Sequence, residues 1–259
     1  MALPTFESAT SRVYTAYDIA DPPPHPGPAW TRFVCISDTH SRIYKVPPGD
    51  VLLHSGDLSS WGSPKQLEKT LKWLNSLPHP TKIVIAGNHD LCLDIEWIEG
   101  GTMGTQEYTQ SLDLIKRYGK RIKYLEYESH RFTTKRGRTW EVYGSPAVPR
   151  YVPGSFQYEG TIAAQAIYSR IPPSTEILLT HTPPHGICDE TKRHKRAGCP
   201  VLTKRLANED LNCIRLHVFG HIHEAYGAYV TPPEVPNERV SVNAALPNSD
   251  CAIIVDLLN

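Results

Sequence analysis

Five short apolar runs in this chain each stop at residues that can bind a metal ion. The clearest is Ile83-Val84-Ile85-Ala86, which ends in Gly87-Asn88-His89-Asp90. Ile and Val suit a pleated interior and the run is too short for a helix, so it reads as a buried strand. Asn88 offers a neutral oxygen and His89 an imidazole, with Asp90 beside it to orient the ring. Alone, an Asn-His pair at a turn is a weak signal. The pattern recurs, however. Residues 33–36 lead to Asp38 and His40, 51–54 to Asp57, 177–179 to His181, and 216–219 to His221 and His223.

In an α/β sheet the C-terminal ends of the strands lie along one edge, where ligands bind. Residues remote in sequence therefore converge there. In Asp38-x-His40 and His221-x-His223, residues two apart on an extended backbone point to the same side, so each pair can reach one site. Asp38, His40, Asp57, Asn88, His181, His221 and His223 are too many ligands for one tetrahedral ion. They suit two ions sharing a carboxylate. Imidazole and oxygen donors without a thiolate favour Mn, Fe, Zn or Ni over Ca or Mg alone. Two ions about 3.5–4 Å apart form the arrangement used for in-line displacement at phosphorus.

The remaining chain supports one large domain with an arm. At 259 residues and 40% apolar content it can bury a sizeable core. The 27 basic and 27 acidic residues cancel, so the totals carry no nucleic-acid footprint. No run of about 18 apolar residues suggests a membrane span. The N-terminus lacks the basic-then-apolar order of a secretory signal, which points to a cytoplasmic protein. Six scattered cysteines with no CxxC pair read as reduced thiols and argue against a structural zinc cluster. Residues 1–29 end in Asp21-Pro-Pro-Pro-His-Pro-Gly-Pro28 and read as a proline-rich arm, loose or laid on the surface, ahead of a domain over 30–259.

Along the domain, strand and helix signals alternate, which on periodicity alone suggests a doubly wound parallel sheet. Ser63, Pro64 and Gln66 mark a capped helix start, with Leu67, Leu71 and Leu74 on one face and a stop before Pro78. Residues 111–118 and 161–171 read as helices, the latter with Ile162, Ala163, Ala166 and Ile167 inward. Residues 122–126, 140–143, 226–230, 240–242 and 252–257 read as strands. The segment 186–200 carries Lys192, Arg193, His194, Lys195 and Arg196. It is either a solvated loop or a mobile basic lid over an anion.

The order Asp38-x-His40, Gly56-Asp57, Gly87-Asn88-His89-Asp90, His181 and Gly220-His221-x-His223 resembles the calcineurin-like metallophosphoesterase superfamily over about residues 31–257. Residues 32–42, 82–89 and 216–224 are similar to its metallophosphoesterase-domain-containing branch, some members of which are cyclic-nucleotide phosphodiesterases. The resemblance implies a four-layer α/β/β/α sandwich of two mixed β-sheets flanked by helices. It implies two divalent ions, manganese first among the candidates with iron, zinc or nickel as alternatives. Asp38, His40, Asp57 and His223 would hold one ion, and Asp57 would bridge to a second held by Asn88, His181 and His221. His89, supported by Asp90, would bind the phosphate or protonate the leaving oxygen. Many superfamily members carry Arg or Asp after Gly-Asp, where this chain has Leu58-Ser59-Ser60. A phosphate-binding group must then come from elsewhere, with Arg42, Arg150 and His185 as candidates.

The implied activity is hydrolysis of a small phosphoester, a diester before a monoester, by hydroxide generated between the ions. The 146–158 and 186–200 loops would select among a nucleotide, a phospholipid headgroup, a phosphoprotein and a specialised metabolite as substrate. From a different class comes a catalytically weak metal-binding scaffold that docks partners through the proline-rich arm. The sequence does not give the oligomeric state.

Overall fold

A computed structural model describes residues 3–100, 104–232, 237–249 and 251–259. In chain order its strands are β1 (Phe6–Glu7), β2 (Ser11–Tyr14), β3 (Trp30–Ile36), β4 (Val51–Ser55), β5 (Thr81–Ile85), β6 (Lys123–Tyr124), β7 (Glu128–Thr133), β8 (Thr139–Ser145), β9 (Val148–Pro149), β10 (Gln157–Tyr158), β11 (Ile177–Thr180), β12 (Leu216–Phe219), β13 (Gly227–Val230), β14 (Val240–Asn243) and β15 (Ile253–Leu258). The α-helices are α1 (Pro64–Ser76), α2 (Ile95–Glu99), α3 (Thr105–Tyr118), α4 (Gly160–Tyr168) and α5 (Pro200–Leu206).

These strands build two large mixed sheets rather than one doubly wound sheet. The first runs β1-β2-β15-β3-β4-β5-β6, with β3 to β6 parallel and β15 antiparallel to both its neighbours. The second runs β13-β14-β12-β11-β8-β7, with β14, β12, β11 and β8 parallel and both edge strands antiparallel. A strand–helix alternation specifies parallel neighbours but not which sheet a strand joins. The doubly wound expectation fails for that reason.

Side-chain alternation shows how the layers stack. Phe33, Cys35, Leu53, Ile83 and Ile85 of the first sheet share one core with Trp140, Val142, Leu179, Val218 and Val242 of the second. The intervening residues Val34, Ile36, Leu52 and Val84 face the other way, onto Leu67, Leu71, Leu74 and Leu114 of α1 and α3. Tyr143 and Leu178 likewise face Ala164, Tyr168, Leu202 and Leu206 of α4 and α5. Period-two strands buried on both faces therefore give helix, sheet, sheet, helix.

Local signals place the elements closely. Ser63 caps α1, its side chain accepting from the Gln66 N–H. The Gln66 side chain does not close the expected reciprocal bond and instead accepts the Trp61 N–H at 2.8 Å. Helix α4 turns differently from the expectation: Ile162 is exposed, and Ala164 and Tyr168 are its buried residues.

Residues 1 and 2 of the expected arm lie outside the described residues. The rest is bound to the domain. β1 and β2 extend the first sheet, β2 pairing with β15. Buried Arg32 donates to the carbonyls of Pro23 and Pro24 while its fork grips Asp256 at 2.7 Å through two bonds. Prolines cannot donate to a ladder, but their carbonyls accept, and here they satisfy a buried guanidinium. The six cysteines are free. Among the described residues no helix is long and apolar enough to cross a membrane.

Candidate metal centre

The C-terminal ends of β3, β4 and β5 in one sheet and of β11 and β12 in the other meet along one edge. Asp38 follows β3, Asp57 follows β4, and Asn88 and His89 follow β5. His181 follows β11, and His221 and His223 follow β12. Backbone bonds clamp these loops to each other. The Asp38 N–H donates to Gly56 O at 2.9 Å, His40 N–H to Asp57 O at 3.0 Å, and Gly220 N–H to His181 O at 3.1 Å.

The backbone at this edge is unusual. Asp38, His40, Asp57 and His221 all have positive φ, between 47° and 68°. Non-glycine residues in this region cost energy and persist only where surroundings hold them. Glycines supply the clearance. A Cβ on Gly56 would meet the His181 ring, one on Gly87 would meet Asp57 and His181, and one on Gly220 would strike Asp38 and Ser37. The glycine that opens each motif lets another motif's side chain lie against bare backbone.

Three overlapping groups of side chains bring their ligand atoms within 4.8 Å of one another: Asp38, His40 and His223; His40, Asp57 and His89; Asp38, Asp57 and His181. His223 Nε2 lies 3.2 Å from Asp38 and 3.3 Å from His40 Nε2. His181 Nε2 lies 3.0 Å from Asn88 Oδ1 and 3.3 Å from Asp57 Oδ1. His221 stands apart from these groups. Its ring packs edge-on to His181 at 5.1 Å and its N–H donates to Asp38.

The donor chemistry fits a cation. His181 Nδ1 donates to the Ser55 carbonyl at 2.8 Å, so in the neutral ring Nε2 carries the lone pair. That lone pair faces two oxygen acceptors. His40 Nδ1 likewise points at the Ser59 carbonyl at 3.3 Å, which leaves its Nε2 lone pair aimed at Asp57 and His223. Acceptors facing acceptors in a buried pocket need a proton or a metal ion between them.

The electrostatics say the same. Burial pushes the Asp38 carboxyl up, but the His223 hydrogen bond and the His181 charge outweigh it, and the net shift is down. Burial also opposes ionisation of Asp57, yet the charge of His181 and its hydrogen bond drive that carboxyl far below the usual range. His181 resists protonation through burial, but the Asp57 charge lifts it to about 9. Burial and then the charge of His181 lower His221 to about 4. The buried carboxylates thus draw positive charge toward His181.

Asp90 does not touch the His89 ring. It is fully buried and accepts from the N–H groups of Leu58, Ser59 and Gly87 and from the Ser59 hydroxyl, at 2.7–3.0 Å. It therefore shapes the loop that carries Asp57. The Ser60 carbonyl orients His89 instead, accepting from Nδ1 at 2.7 Å and leaving Nε2 free. The His89 N–H also donates to Asp57 at 2.9 Å. Sequence reasoning missed Ser60 and its neighbour Trp61, a largely exposed indole centred 6.1 Å from the His89 ring. Their signal was position alone, just after Gly-Asp.

The three candidate anion-binding residues fall in different places. Arg42 is exposed. His185 is exposed too, with its backbone tied to Cys199 and Thr203. Arg150 pairs with Glu159 and lines a cleft of about 620 Å³ that His221 also lines.

A calcineurin-like phosphoesterase profile matches residues 31–225. The chain is 37% identical over 245 residues to metallophosphoesterase domain-containing protein 1 of Homo sapiens and equally to that of Mus musculus, covering 86% of this chain and 74% of each relative. It is 33% identical over 230 residues to a UPF0046 protein of Caenorhabditis elegans, covering 83% of this chain and 75% of that one.

Proposed function

This chain belongs to the calcineurin-like phosphoesterase family, and we propose that it is a metal-dependent phosphodiesterase acting on a small phosphoester, with a nucleotide as the leading candidate. The observation that carries this reading is the convergence of buried carboxylates and imidazole lone pairs at one sheet edge. Asp38, His40, Asp57 and His223 would hold one divalent ion, and Asp57, Asn88, His181 and His221 a second, with manganese as the first choice. Such ions supply Lewis acidity and a water whose pKa falls to near 7.

The protein's own groups do the rest. The Ser55 and Ser59 carbonyls fix which nitrogen of His181 and His40 faces inward. The Ser60 carbonyl holds His89 with Nε2 free, so a protonated His89 can bind a phosphoryl oxygen and pass its proton to the departing alkoxide. Asp90 keeps the Asp57 loop in place. Six unpaired thiols support a reducing, cytoplasmic setting.

The test is hydrolysis of bis(p-nitrophenyl) phosphate by chelator-stripped protein before and after adding Mn²⁺. Activity that returns with the metal is the expected result. Protein that binds two ions per chain yet hydrolyses nothing with Mn²⁺, Zn²⁺, Fe²⁺ or Ni²⁺ would rule the reading out for simple diesters.

A further inference from the structure

The cleft beside His221 is lined by five basic side chains: Arg150, Lys192, Arg193, Lys195 and Arg196. One carboxylate, Glu224, shares the wall, 3.5 Å from the Lys192 N–H. The chain as a whole is neutral, so this is a local excess and not a sample of a basic surface. Arg150 pairs with Glu159 and Arg196 with Asp189. Among the described residues, the side-chain cations of Lys192, Arg193 and Lys195 have no carboxylate partner.

The loop that presents them is built, not loose. Buried Asp189 accepts from the N–H groups of Gly186 and Gly198 and from Arg196, at 2.9–3.1 Å. The Thr191 N–H donates to Lys195 O, and the His194 N–H to Thr191 O, which closes the tip. Asn243, at the end of β14, donates to Cys188 O and Ile222 O and so ties this loop to the one carrying His221 and His223. A fixed backbone reduces the entropy lost when the cations engage a ligand.

Resting on the phosphodiesterase reading, we infer that the substrate carries a second phosphoryl group, bound by Lys192, Arg193 and Lys195 while the scissile phosphate lies at the metal centre. His221 lines the cleft and its ring packs edge-on to His181 at 5.1 Å, so the cleft wall lies beside the centre. Cations around a dianion act through charge-assisted hydrogen bonds, which are stronger than neutral ones and weaken with salt where exposed.

Non-hydrolysable probes separate binding from turnover. Calorimetric titration of the Mn²⁺-loaded full chain would compare propylphosphonate with butane-1,4-diphosphonate. The diphosphonate should bind at least tenfold tighter to the natural protein. In the triple variant K192Q/R193Q/K195Q that advantage should shrink below threefold, with the melting temperature unchanged. A wild-type advantage below threefold would overturn the inference, as would one that survives intact in the triple variant. Bis(p-nitrophenyl) phosphate turnover is read on the same preparation. Its absence with every metal would count against the phosphodiesterase reading, while the probe comparison still decides the second-anion site.

Discussion

Asp38 accepts the backbone N–H of His221 through both carboxylate oxygens, at 3.2 and 3.0 Å. The first motif of the chain thus fixes the backbone of the last, where His221 sits at φ 68°. Gly220 makes the approach possible, because its missing side chain leaves the space that Asp38 fills. Gly220→Ala should therefore act at the metal centre without altering any ligand. The added methyl must displace Asp38 or the loop. Overpacking of this kind costs about 1–3 kcal/mol, and metal affinity should fall by about tenfold or more, since roughly 1.4 kcal/mol lost in binding is a factor of ten. Denaturant unfolding and metal titration on the same preparation check both. Unchanged metal affinity would show that Asp38 does not depend on this contact.

His89→Ala separates chemistry from metal binding. His89 Nδ1 is held by Ser60 and its N–H by Asp57, but the alanine keeps the backbone donor. Only the imidazole is lost. Turnover should fall by about 10²–10⁴, the usual worth of a positioned general acid, with the metal content unchanged by elemental analysis. The loss should be largest for alkyl leaving groups, which need the proton most. Equal losses for alkyl and nitrophenyl esters would leave His89 as a phosphate ligand and not an acid.

The strands and the residues that converge at their ends were legible because each carries a redundant signal. Val51 to Ser55 and Leu216 to Phe219 are short, mostly apolar runs, and each is followed directly by glycine. Period-two patterns cannot say which sheet a strand joins, and here the apolar runs of β11 and β12 join a second sheet although they read like those of β3 to β5. The role of Asp90 was hidden for a similar reason. Adjacency in sequence suggested that it serves His89, whereas the turn points it back at Leu58 and Ser59, some thirty residues away. The basic loop could be seen as a charge run, but its anchoring through buried Asp189 needed the folded chain.

Stability at acid pH should report a histidine far from the centre. His79 is buried, its Nε2 at 3.0 Å from the Pro47 carbonyl, and burial pushes it down to about 4 from its usual 6.5. The folded state keeps this ring neutral while the unfolded chain protonates it. Its contribution is therefore intact above about pH 6.5 and is lost as the pH falls toward 4. By pH 4.5 the loss is about 2.5 kcal/mol. His79→Gln retains a donor for Pro47 but cannot titrate. The difference in unfolding free energy between pH 7.5 and 4.5 should shrink by about that amount in the variant. An identical pH slope in both proteins would assign the acid sensitivity to other groups.

The Arg32–Asp256 pair tests whether the proline-rich segment is part of the domain's stability. Both side chains are almost fully buried and meet through two bonds, and two further Arg32 N–H groups go to Pro23 and Pro24. Asp256→Ala leaves a guanidinium buried without its counter-charge. Breaking one side of such a pair costs about 3–5 kcal/mol, whereas replacing both partners by apolar residues is often close to neutral. The single variant should therefore unfold at clearly lower denaturant, and the double variant Arg32→Met/Asp256→Leu should recover most of the loss. The proline carbonyls distinguish the two variants in another way. With Arg32 gone, nothing in that position donates to Pro23 and Pro24, so the double variant should regain stability yet expose residues 21–28 to proteolysis faster than the natural chain. If the double variant is as resistant as the natural protein, the β2–β15 pairing and the contacts of His25 with Asp50, Gly27 with Arg136 and Pro28 with Asn259 are enough to hold the segment down.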